Sequence, residues 1–133
     1  MALEKTRVEI MSSVAVSSSS STTLGQCTKI DCTELAQLVM EAVVQFHASA
    51  SGDVRIHARA STEDNTAAWS QAVDYGADED GYFDVTCSAG NTVRKTAPLW
   101  SDPLYLKGVV TNYDDTVAAT VTLAYVGQEI SPN

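Results

Sequence analysis

Residues 31–50, DCTELAQLVMEAVVQFHASA, fit two folding templates, and the choice between them sets the fold class. Wound as a helix, the stretch puts Leu35, Leu38, Val39, Ala42, Val43 and Phe46 on one stripe, with Asp31 and Glu34 spaced as a capping box. Extended, it alternates Leu38, Met40, Ala42, Val44 and Phe46 with Val39, Glu41, Val43, Gln45 and His47. Periodicity alone does not separate the two. The surroundings favour a strand over 37–48, because every later segment is β in pattern and SASGD, residues 49–53, suits a hairpin loop.

The next segment, VRIHARA (54–60), points Val54, Ile56, Ala58 and Ala60 to one face and Arg55, His57 and Arg59 to the other, a strand with a basic wet side. Residues 61–81, rich in turn formers and acids, read as a long connection without period. Alternation returns in YFDVTCSA (82–89) through Phe83, Val85 and Cys87, and Gly90-Asn91 turns the chain into TVRKTA (92–97). PLWSDP (98–103) reads as irregular, since Pro98 and Pro103 cannot donate to a ladder. LYLKGVVTN (104–112) and TVAATVTLAYVG (116–127) flank the turn YDD and read as an antiparallel hairpin.

Upstream, TRVEIMSSVAV (6–16) places Val8, Ile10, Val14 and Val16 on one side of a period-2 pattern, and SSSSSTT (17–23) then reads as a flexible hinge. The expected organisation is an N-terminal arm over 1–25, a sandwich domain over 26–130 and a short tail over 131–133. Short strands with turn signals between them predict an all-β fold, an antiparallel β-sandwich of seven to eight strands with an N-terminal arm. A jelly-roll-like topology comes first and an immunoglobulin-like one second.

At 133 residues with 44% hydrophobic and 19% charged residues, the chain has the composition of one globular domain. Its formal charge of -9, with only eight Lys and Arg, argues against nucleic acid, whose affinity comes from cations displacing counterions. No apolar run is long enough for a signal peptide or a membrane span, so the expectation is a soluble protein not exported by the usual route. Cys27, Cys32 and Cys87 are odd in number and lack the spacing of a zinc site, and read as reduced apolar fillers.

Chemistry is sparse. His47 and His57, the two histidines, would meet as ligands or an acid–base pair only if their strands were neighbours, and solvated histidines are the plainer reading. Asp74, Asp78, Asp80 and Asp84 cluster in the acidic connection without the EF-hand pattern, which favours a repelling surface loop over a calcium site. No serine sits in a G-x-S-x-G elbow and no Gly-rich phosphate loop is present, so no catalytic residue, metal or cofactor is expected. Trp69 and Trp100 fall in connections, where each is either a platform for a ligand such as a sugar ring or, the favoured reading, a lid over one end of the sandwich.

Three stretches taken together, DVRIHARASTEDNTAAW (53–69), YFDVTCSAGNTVRKTAPLWSDPLYLKGVVTN (82–112) and VTLAYVG (121–127), resemble small β-sandwich proteins encoded among the structural genes of tailed bacteriophages. The resemblance covers about residues 30–127, is one of strands and turns, and leaves the arm uncovered; Asn65 stands where a turn glycine is more usual. It implies a non-enzymatic virion protein assembled in the host cytoplasm. A capsid decoration (cement) protein is the first expectation; a head–tail neck or tail accessory protein and a glycan-binding adhesion module are the alternatives. Its implied partners are the major capsid or other virion proteins, with a homo-oligomer, a trimer, as the expected state. The arm residues Val8, Ile10, Val14 and Val16 are the expected interface anchors.

Overall fold

A computed structural model describes residues 2–33, 35–74, 81–99 and 104–131. Its strands are β1 (Ala2–Val16), β2 (Ser20–Ser21), β3 (Ile30–Asp31), β4 (Leu35–Phe46), β5 (Val54–Ser61), β6 (Val73–Asp74), β7 (Tyr82–Val85), β8 (Thr92–Leu99), β9 (Tyr105–Asn112) and β10 (Ala119–Ser131), with a short α-helix, α1 (Thr66–Ser70), and a turn of 3-10 helix at Leu24–Gln26. Sheet A runs β1-β10-β4-β8, and sheet B places β9 and β5 at its centre, flanked by β2 and β3 on one side and β6 and β7 on the other. Counting β2/β3 and β6/β7 as one position each gives eight positions in chain order. One layer then reads 1-8-3-6 and the other 2-7-4-5, which is the jelly-roll order. The all-β sandwich expected from the sequence is the fold.

The ambiguous stretch is strand β4. Leu38, Met40, Ala42, Val44 and Phe46 are all buried between the layers, and the alternate positions face outward. Across the gap they meet Val54, Ile56, Leu106 and Val110 of sheet B. Gly108 of β9 belongs to this packing: a Cβ there would lie 2.4 Å from Leu123 Cδ1, so a glycine is what lets the Leu123 side chain cross the gap.

Two expectations of hairpins are overturned. The chain from β4 to β5 and the chain from β9 to β10 each leave one sheet and enter the other, so neither pair is hydrogen-bonded together. Alternation fixes which face of a strand is greasy; it does not say which strand lies beside it. The crossings 17–19, 47–53, 86–91 and 113–118 instead gather at one end and bond to one another. Asp114, 2% exposed, accepts from the N–H groups of Ser51 (2.7 Å), Gly52 (3.1 Å), Thr116 (2.9 Å) and Val117 (3.0 Å). Its own carbonyl accepts from Ser19 N–H, Asp53 accepts from Cys87 N–H and Tyr113 N–H, and His47 carbonyl accepts from Gly90 N–H.

The leading segment also departs from expectation. It is not an arm separate from the body: β1 pairs with β10 along its length, from Ala2 opposite Ser131 to Val16 opposite Ala119. Extra residues near Ile10 and at Ser12–Ser13 interrupt the register, and Ser13 takes a φ of 47°. The bulge turns both Ile10 and Met11 into the core, something a strict period of two cannot do. The serine run is no free hinge either, since Ser20 and Ser21 pair with Asn112 and Thr111 as the chain crosses to sheet B. Pro98 lies inside β8 opposite Val39; on an edge strand its missing N–H costs no ladder bond.

Two measurements test this architecture. The N–H of Ser51 foremost, then those of Thr116 and Val117, hold the Asp114 carboxyl well below the usual carboxylate range. A depressed folded pKa contributes stability above the unfolded value and loses it as pH falls, so the urea midpoint of Asp114→Asn lies below wild type at neutral pH. That gap narrows below about pH 4. Gly108→Ala overfills the contact with Leu123 and lowers stability by about 1–3 kcal/mol, measured by urea unfolding; an unchanged midpoint contradicts the packing described.

Candidate interaction surfaces

The outer face of sheet B carries the basic residues of β5. Arg55, His57 and Arg59 lie opposite Thr111, Val109 and Lys107 of β9, so Arg59 and Lys107 are like charges side by side. Such a pair destabilises a sheet unless acids neutralise it. The acidic connection supplies them. Asp74 of β6 lies 2.8 Å from Arg59 Nε, an ion pair whose N–H does not point at the oxygen, and its other oxygen is 3.1 Å from His57 Nδ1. Asp84 of β7 takes two bonds from Arg55, at 2.8 and 3.1 Å, and Arg55 holds its carboxyl below the usual range. The Arg55 guanidinium also lies 3.8 Å over Tyr82 and 5.3 Å from the ring of Tyr113, which is 52% exposed.

Asp64 completes the set. It pairs with Lys29 and accepts the indole N–H of Trp69 at 2.9 Å, and Lys29 foremost, then Trp69, lowers its pKa. Helix α1 carries Trp69 to this position, and Asn65 starts the helix by accepting the Ala68 N–H at 2.8 Å. That capping role accounts for an asparagine where a turn glycine was the expected residue. Lys107 lies 4.7 Å over the Trp69 ring. Beside it a cleft of about 510 Å³ is lined by Leu24, Asp64, Asn65, Ser70 and Lys107, among others.

Trp69 itself is 7% exposed, so it closes the outer face of sheet B instead of offering a flat platform. Trp100 falls outside the described residues, as do Asp78 and Asp80 of the acidic cluster. Asp74 and Asp84, its described members, are held by different basic side chains, and no group of three potential metal ligands forms among the described residues. The two histidines lie in different layers: His47 follows β4 and accepts the Ser49 N–H, while His57 packs against Tyr82. Cys27, Cys32 and Cys87 are free thiols. Burial pushes Cys32 up to about 11 and raises Cys27, whose sulfur accepts the Gly108 N–H at 3.2 Å.

Of the four expected anchors, Ile10 and Val16 are core residues of their own chain and Val14 is half-buried, while Val8 remains 39% exposed. They share a strand but form no common outward surface. What β1 presents outward is its edge. Sheet order leaves it the first strand of sheet A, and at fifteen residues, about 50 Å, it far exceeds the eight-residue strands β5 and β9, about 26 Å. The layers are matched at the stitched end, so the excess length lies at the other. There residues 2–5 pair with 128–131, beyond Thr6 and Val8, whose partners Gly127 and Tyr125 lie opposite the buried Leu38 and Met40. The lower half of the edge is closed by its bulges and by Thr28 N–H, which donates to the Ile10 carbonyl at 2.8 Å; above Ile10 the strand is regular and has no neighbour on that side among the described residues.

No protein-family model matches the chain, and no curated protein matches it in sequence. Among solved structures it is similar to the SPBc2 prophage-derived protein YomS, at 11% identity over 95% of this chain and 96% of that one, with a TM-score of 0.41. It is similar also to the CBM22-1 xylan-binding domain from Paenibacillus barcinonensis Xyn10C, at 10% identity over 96% and 95% of the two chains and a TM-score of 0.46. A chain of the cyanophage Pam1 capsid asymmetric unit shares 8% identity over 96% of this chain and 85% of its own, with a TM-score of 0.46. At these identities the likeness is one of fold, and it decides nothing about function.

The position of Trp69 has a direct readout. In a Trp100→Phe variant the remaining tryptophan emission should be blue-shifted and resistant to acrylamide. A red-shifted, freely quenched spectrum contradicts a closed Trp69 and restores the platform.

Proposed function

We propose that this chain is a non-enzymatic structural protein of a tailed-bacteriophage particle, a capsid decoration protein that reinforces junctions between subunits through its exposed sheet edge. The observation that carries the reading is β1: a strand at the edge of sheet A whose outer N–H and C=O groups above Ile10 have no partner among the described residues. Such an edge is a template for pairing with another chain, and proteins that do not use one usually cover, shorten or bulge it. Here only the lower half is treated so. The resemblance of residues 30–127 to phage β-sandwich proteins supplies the particle.

The chemistry of the described side chains agrees with a binding role. Asp64, Asp74 and Asp84 neutralise cations and Asp114 binds backbone, so each is committed to holding the fold. The partner surface would be that of the major capsid or another virion protein, and a decoration protein differs from a neck or tail component by stoichiometry. Mass spectrometry of purified particles should find this chain at copy numbers on the order of hundreds, comparable with the major capsid protein. About a dozen copies or fewer would move it to the neck or tail, and its absence from particles would remove the virion reading.

A further inference from the structure

The cleft beside Trp69 has its aromatic wall turned inward, and the Tyr82–Arg55–Tyr113 stack is satisfied within itself, which leaves the edges of sheet A as surfaces with unmet bonding capacity among the described residues; that of β1 is the longer, and that of β8 is interrupted by Pro98. We propose that it pairs antiparallel with β1 of a second copy, about a two-fold axis at Arg7, which sets Lys5 opposite Glu9 of the second copy and continues sheet A across both molecules. This rests on the reading of β1 as an assembly surface and names a second copy of this chain, in place of a capsid strand, as the partner along residues 5–9.

Geometry leaves few registers. A two-fold axis perpendicular to a sheet keeps each side chain on its own face, so only residues of the same parity come opposite each other. Pairing must stop at Glu9, because Ile10 is bulged and its carbonyl already accepts from Thr28. An axis at Lys5 sets Lys5 on Lys5, and one at Thr6 sets Lys5 on Arg7 twice; like charges directly opposite are unfavourable. An axis at Val8 leaves only residues 7–9 to overlap.

The axis at Arg7 overlaps residues 5–9. It makes two Lys5–Glu9 pairs on one face and two β-branched Thr6–Val8 pairs on the other, covering the exposed Val8. Arg7 then faces Arg7, but each is already neutralised by its own Glu41 at 2.8 Å. Glu9 is loosely held, with Arg7 at 3.7 Å and the Ser12 hydroxyl at 3.2 Å, and no carboxylate among the described residues forms an ion pair with Lys5. A contact of five residue pairs is small, so the association should be micromolar and weaken with salt. It yields a dimer; the trimer expected from the resemblance needs a different surface.

Charge reversal tests the register. By sedimentation velocity from micromolar to millimolar concentration, Lys5→Glu alone and Glu9→Lys alone should each weaken dimerisation about tenfold or more, and the double variant should return to within about threefold of wild type. Both positions are exposed, and unchanged circular dichroism establishes that the variants are folded. A wild-type chain that stays monomeric throughout, single variants that dimerise like wild type, or a double variant that fails to recover would each overturn the pairing. The two proposals fail separately: a monomer abundant in particles removes only the dimer, and a charge-sensitive dimer missing from particles removes only the virion role.

Discussion

Asp114 is the constraint on which the layered arrangement depends. In this jelly roll the crossings 17–19, 47–53, 86–91 and 113–118 lie over one end of the core, where peptide groups from unrelated parts of the chain meet without ladder partners. One nearly buried carboxylate, accepting from the crossings at 51–52 and 116–117, turns that liability into a fixed point. Asp53 does the same for Cys87 and Tyr113. Asn112, buried beside them, donates to the carbonyls of Val16 and Val117 and accepts from Asp114 N–H, tying the strand ends to the same knot. With one end held in this way, unequal strand lengths can be resolved only at the other, and the protruding ribbon follows.

A second electrostatic requirement acts on the outer side of sheet B. The alternation of β5 buries Val54, Ile56 and Ala58 and thereby lines up Arg55, His57 and Arg59 on the opposite face, next to Lys107. Acids that follow β5 meet this face: Asp74 and Asp84 settle on the basic row, and Asp64 on Lys29. A molecule with net charge -9 thus keeps a neutralised layer within an acidic exterior.

Much of the fold was legible. Alternation in 38–46, 54–58 and 83–85 named inward residues that the structure buries, because a strand between two layers has one greasy face whatever its neighbours. Neighbourhood was not legible. The turn-like sequences at 49–53 and 113–115 suggest hairpins, yet Asp114 bonds to backbone at Ser51, some sixty residues away, and no local pattern announces that. The Val8, Ile10, Val14, Val16 pattern concealed two bulges, visible in hindsight as Ile10-Met11, two large apolar residues in succession, and the small pair Ser12-Ser13. Helix α1 was missed because it is five residues long; the signal available was Asn65 followed by Thr-Ala-Ala. As for the surface, the importance of β1 was read from its side chains, whereas its open feature is the backbone edge.

The pairing of the first strand with the last also sets the order of events during synthesis. Val8 and Tyr125 stand opposite each other although on the order of a hundred residues separate them, and contacts of that range make for slow folding. On the ribosome, β1 emerges long before β10 and must wait with both edges bare. The alternation of charges through Glu4, Lys5, Arg7 and Glu9 suits that interval, since interspersed charge keeps a nascent strand from sticking to its neighbours on the same message.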